Sequence, residues 1–177
     1  GGVGRRCHGG GYQRDVRGEA EGSARVGDER SPFGAGLDAR GLRLAEGVDP
    51  GDIAIPALGY AAAATSSYEI FRRLREEGAI AEGTRFQVSL PTPLAVVSAF
   101  FQGADREAFE VYYTAAMLRE LDEIAEAIPH DDLAIQWDVA SEMGIIEGAS
   151  GYGALMDAWW DGDVFTGLVA RLATLVD

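Results

Sequence analysis

Lysine is absent from this chain of 177 residues, and cysteine and histidine are scarce, with one Cys and two His. The lone thiol, Cys7, can form no internal disulfide, which excludes a disulfide-stapled scaffold and agrees with a reducing compartment, so the expectation is a cytoplasmic protein. Cys7-His8 has no second ligand pair at zinc spacing, so no metal is expected in this chain. Long apolar runs are missing too. The longest strongly apolar one, Leu94 to Phe101, is far short of the ~20 residues that span a bilayer, and no charged stretch followed by an apolar one opens the chain as in a signal peptide. A nucleophile elbow, a His-Glu-x-x-His helix and a P-loop are absent from the sequence, and Gly148-Ala-Ser-Gly-Tyr-Gly153 carries no Lys and does not directly follow a strand. That segment reads as a loop, not a phosphate cradle. Carrying every basic charge on Arg has no structural logic and reads as coding bias in a GC-rich genome.

What is present is acid. The chain holds 29 Asp and Glu against 15 Arg, and the imbalance is uneven: residues 1–43 hold 8 Arg, 6 acids and 12 of the 24 Gly, leaving 7 Arg against 23 acids in residues 44–177. A net charge near −16 repels phosphate backbones and anionic lipid, which disfavours nucleic-acid and membrane partners for the second segment and leaves small molecules and proteins. Residues 1–43 show no apolar period and cannot offset their ordering entropy, so the expectation is a disordered Gly/Arg-rich extension. Interspersed Asp15, Glu19, Glu21, Asp28 and Glu29 cancel the charge that an RNA-binding arm needs. The sharp change of composition near Leu44, and a first residue other than Met, fit an extension read outside the authentic frame.

Residues 44–177 alternate helical and extended patterns. Asp49-Pro-Gly-Asp52 is a turn signature, and a helix is predicted from Tyr60 to a glycine cap at Gly78. Arg85 to Leu90 alternates as a strand, stopped by Pro91-Thr92-Pro93, and a short apolar helix, Leu94 to Phe101, follows. Asp105 is placed to cap a helix running to Ile128, with Phe109, Tyr112, Ala116, Leu121, Ile124 and Ile128 near one stripe and Arg119, Glu120, Glu123 and Glu126 off it. A second strand, Leu133 to Trp137, leads into a Gly-rich loop holding Tyr152, Trp159 and Trp160, and Val164 to Val176 reads as a last helix. Strands joined by helices imply right-handed crossovers and a parallel α/β sheet, in a barrel or a doubly wound form.

In such a sheet the ligand side lies where strands end, which singles out Ser89, Thr92, Gln136, Asp138 and Glu142 as candidate substrate-binding residues. His130, Asp131 and Asp132 precede a strand and are expected to serve structure. Alternation places Phe86, Val88, Leu90, Ile135 and Trp137 toward covering helices, with Gln87, Ser89, Gln136 and Asp138 opposite. Two readings of that polar face stand side by side: a polar ligand above it, or a satisfied amide and carboxylate network. Trp159-Trp160 is read as a ligand lid or as a packing contact.

The run Phe86-Gln-Val-Ser-Leu-Pro-Thr-Pro93, the helix Tyr112 to Leu121 and then Ala134-Ile-Gln-Trp-Asp-Val-Ala-Ser-Glu142 resembles, in order and spacing, the uroporphyrinogen decarboxylase and cobalamin-independent methionine synthase-like superfamily, on its methionine synthase branch. The resemblance implies that residues 44–177 are part of a (β/α) TIM-type barrel, with Asp138 holding the amino group of an amino-acid substrate. It implies zinc in a full-length relative, held by His, Cys and Glu ligands that this sequence does not contain. Val139-Ala140 stands where the family has Glu-Pro, and Leu90-Pro-Thr-Pro93 where it has Gly-Pro-Val-Thr, which points to a methionine-synthase-like relative with another substrate. The expected function is methyl or one-carbon transfer on a small amine- or thiol-bearing substrate in a longer protein, this chain being inactive alone. The alternatives are a non-catalytic binding or assembly module that self-associates through unfinished barrel edges, and a decarboxylase-like enzyme.

Overall fold

Tyr60–Glu76 is helical because it opens on a strong helix former repeated, Ala61 to Ala64, and ends on a residue able to reverse the chain. In a computed structural model describing residues 42–101, 103–149 and 157–176, this helix, α1, presents Ala61, Ala64 and Tyr68 to the core at helical spacing. Gly78, at φ 76°, closes it by donating to Arg75 O while Ala79 N reaches back to Leu74 O, the paired-bond arrangement that only a left-handed residue permits cheaply. The segment 1–41, with Cys7 and His8, and the loop residue Tyr152 lie outside the described residues. Leu42, counted with the extension on composition, lies inside them and donates its backbone N–H to Phe100 O at 2.6 Å.

Strand β1 (Phe86–Pro91) is followed by α2 (Pro93–Phe100), the long α3 (Arg106–Ala127), β2 (Leu133–Asp138), the two-turn α4 (Ala140–Ile146) and α5 (Val164–Ala173). The two strands pair in parallel, Phe86 opposite Leu133 through Pro91 opposite Asp138, so both end at the same edge. The fold is mixed α/β. Thr92-Pro93 starts α2 by a simple device: the Thr92 hydroxyl accepts from Ala95 N at 3.1 Å while proline takes the first helical position, where no N–H is needed.

One core lies between α1, the sheet and the end of α3, built on Leu90, Ile124 and Ile128, each at most 1% exposed. A second, around Val97, Phe109, Tyr113 and Met117, takes in Leu42, Leu44, Ile53, Ile55 and Leu58 from the chain before α1. A third joins Leu94, Ile145 and Leu168 beneath Trp159 and Trp160. Burying each such large side chain contributes about 1.5 to 3 kcal/mol, so the three clusters hold the helices to one another and the first covers the Val88 and Leu90 face of the sheet.

Several expectations change in detail. The buried stripe of α3 runs through Tyr113, Met117 and Glu120 rather than Tyr112 and Leu121, which are half-buried. Asp105 does stand at the N-cap of α3, yet its side chain caps nothing there and instead accepts from Leu44 N at 3.0 Å. Helix α4 replaces the first part of the expected loop, and Gly148, at φ 59°, ends it with the same paired bonds as Gly78. No helix among the described residues is long and apolar enough to cross a membrane.

Candidate functional site

Alternation divides the strands as the residues require: Val88 and Leu90 are buried beneath helices, while Gln87, Ser89, Gln136 and Asp138 are exposed on the other face. Ser89 and Gln136 are opposite each other in register. The Gln87 amide ties the strands together, donating to Gln136 Oε1 at 2.5 Å and weakly to Ser89 Oγ at 3.4 Å. At the end of β2, Asp138 Oδ1 accepts from Ala140 N at 3.1 Å, a local turn that launches α4. This surface is therefore donor and acceptor together: amides, a hydroxyl and a carboxylate at the strand ends.

Thr92 and Glu142, expected on the same site, are set apart from it. Each is 1% exposed, and the Thr92 hydroxyl donates to Glu142 Oε1 at 2.5 Å, which locks the start of α2 to α4. Burial pushes the Glu142 carboxyl up in pKa, opposed by the Thr92 bond and reinforced by the nearby Asp138 charge. As placed, this pair is buried where Gln87, Ser89, Gln136 and Asp138 are exposed.

Sequence reasoning passed over Glu110, set Glu120 off the buried stripe and gave Asp132 a structural role, and the packing makes all three central. Glu110, on α3, receives Arg171 through Nε at 2.6 Å and Nη2 at 3.0 Å, and the Trp159 indole N–H at 2.9 Å. Arg171 also lies 3.9 Å from the centre of the Trp160 ring, so the tryptophan pair works as helix packing. Glu120, 3% exposed, accepts three backbone N–H groups at the start of α1, and Asp132 takes a two-pronged contact from Arg75. A signal existed for Glu110 and Glu120: they sit at helical spacing from Tyr113 and Met117, which makes them part of the inward side once those residues define it.

Among the described residues no group of three or more His, Cys, Asp or Glu converges as metal ligands. Comparison with known proteins finds no matching family model, curated protein or solved structure.

Proposed function

We propose that the strand-end surface formed by Gln87, Ser89, Gln136 and Asp138 binds the amine-bearing part of a small molecule, as the substrate-holding portion of a methionine synthase-like (β/α) barrel. One observation carries the reading. Parallel strands are ordinarily covered on both faces, whereas here one face is solvent-exposed, polar and pre-ordered by amide bonds. Such a face suits the lumen of a barrel whose other strands close around a polar ligand. Asp138 supplies the only negative charge among those four side chains and would pair with an ammonium group, while the amides and hydroxyl would meet a carboxylate or carbonyl. The chemistry proposed for the longer protein is methyl or one-carbon transfer in the cytoplasm, with the residues here holding substrate.

Titration of the labelled chain with homocysteine and methionine, against the same acids lacking the amino group, tests this. Saturable shifts of the Gln136 and Asp138 amides with the amines alone are expected. Shifts that do not distinguish the two sets, or none at strand ends, reject the reading.

A second reading, assembly of two copies, is favoured by the outer face of α5, where Phe165 is 63% and Val169 49% exposed one turn apart, with Val176 beyond them at 76%. Apolar groups aligned in this way suit a partner helix.

A further inference from the structure

Glu142 Oε2 is buried and has no hydrogen-bond partner among the described residues. Its neighbour Thr92 cannot supply one, because the single hydroxyl proton of Thr92 already goes to Oε1. Beside Glu142 lies a cavity of about 30 Å³ between α2, α3, α4 and α5, lined also by Thr92, Glu110, Thr114, Arg171 and Thr174. That is room for one or two water-sized molecules.

The lining is part apolar, through Pro93, Leu94, Leu172 and Leu175, and its polar groups offer more acceptors than donors. Arg171 is matched by Glu110 in a two-pronged pair, and it also donates to Gly167 O. The Thr174 hydroxyl donates to Arg171 O at 2.7 Å, which leaves its oxygen able to accept. With Glu110 and Arg171 cancelling, the charge facing the cavity is that of Glu142, and Asp138 lies near enough to add to it. A buried carboxylate without a counter-charge is costly, and a donor that brings positive charge removes both the unmade bond and the unmatched charge.

We propose that this cavity is a binding site for one ammonium ion, held by Glu142 Oε2 and the threonine oxygens around it. The site is buried where the strand-end surface is exposed, and Asp138 is the member of that surface whose charge reaches it. Its size excludes larger amines, and its hydroxyl and carboxylate acceptors suit the four N–H bonds of ammonium better than the six or more oxygen contacts a potassium ion takes.

The test uses the full chain at pH 7.5 and constant ionic strength, melted in ammonium, potassium, sodium or tetramethylammonium chloride. Ammonium is expected to raise Tm with the logarithm of its concentration once above its Kd, by about 3 °C near tenfold excess, with tetramethylammonium giving no rise. A protein-bound ¹⁵N-ammonium signal in slow exchange should appear in parallel. Glu142→Gln should abolish both effects. Should that variant not fold, Thr114→Val, which removes a lining hydroxyl without touching the charge, should weaken ammonium binding at least several-fold. Equal melting in all four salts, a potassium effect as large as that of ammonium, or an ammonium effect that survives in a folded Glu142→Gln overturns the proposal and leaves a neutral Glu142 beside water.

Discussion

Glu120 Oε2 accepts the backbone N–H of Ala61 at 2.6 Å, joining α3 to the first turn of α1 across 59 residues of chain. The same carboxylate takes Leu58 N at 2.5 Å and Gly59 N at 3.0 Å through Oε1. Gly59, at φ 92°, has no side chain with which to cap α1, so a residue from another helix does the capping. Burial works to raise the Glu120 pKa, but the backbone N–H bonds together outweigh it and the carboxyl is held below its ordinary value. Glu120→Ala leaves buried N–H groups unpaired and is expected to cost about 2 to 3 kcal/mol, at the upper end for a lost cap. Urea unfolding measures it, and a cost under about 0.5 kcal/mol would show that water replaces the carboxylate freely.

Asp132 predicts a pH dependence. Arg75 grips it at 2.6 and 2.5 Å and the Tyr68 hydroxyl donates at 2.5 Å, which lowers its carboxyl to about 2. A carboxyl depressed in the folded state stabilises fully above its unfolded value, about 3.9, and the contribution disappears as pH falls through the folded value. Between about pH 4 and pH 2 the wild-type Tm should therefore fall more steeply than that of Asp132→Asn, which has no such group to protonate. Parallel curves in calorimetric scans over that window would remove Asp132 from the account.

Order and type of the main elements were legible because the local chemistry is strong: alternation in Phe86 to Leu90, Thr92-Pro93 as a helix start, Gly78 as a stop. The polar face of the sheet was legible for the same reason, since alternation alone sets Gln136 opposite Trp137. Burial of charge was not. Glu120 reads as lying off the apolar stripe of α3 and Arg106 gives no signal at all, yet each is buried and satisfies backbone groups of another segment: Glu120 the N–H groups before α1, Arg106 the carbonyl of Phe101 at 2.9 Å. Partners so distant in sequence leave no periodic trace. Helix α4 was hidden by its seven residues and by Gly144 within it. Thr92 and Glu142 shared a strand-end position with the polar face, but position along a strand does not reveal which side chains the next helix covers.

Gly167 is a packing requirement. A Cβ there would lie 2.0 Å from Trp160 Nε1 and 2.6 Å from Cδ1, far inside contact distance. In an open helix Gly→Ala gains roughly 1 kcal/mol, so the two effects have opposite sign. Displacing a ring held on Arg171 is expected to win, with Gly167→Ala destabilised by about 1 to 3 kcal/mol and an altered tryptophan emission. A variant more stable than wild type would mean that Trp160 moves aside without cost.

If two copies pair through α5, sedimentation should show a concentration-dependent dimer that Phe165→Glu abolishes while Tm of the dilute protein stays within a few degrees. The position is 63% exposed, so the charge does not disturb the core. A monomer at all concentrations ends that reading.

Asp138→Asn separates the two roles open to Asp138. Asn retains Oδ1, so the turn bond to Ala140 N survives and Tm should hardly change. Charge is all that is lost. Because Asp138 is exposed, its pairing with a ligand ammonium is worth no more than about 1 kcal/mol in this chain, a loss of up to roughly fivefold in affinity. Enclosed by further barrel strands the same pair would be desolvated, and removing one partner would cost about 2 to 5 kcal/mol, or at least about thirtyfold. Isothermal titration with an amine-bearing amino acid, on this chain and on a version extended by barrel strands, reads both numbers. An affinity loss that grows with enclosure identifies Asp138 as the amine-binding group. Equal affinity of Asp and Asn in both proteins, with unchanged melting, would leave Asp138 a turn residue and move the amine elsewhere on the sheet.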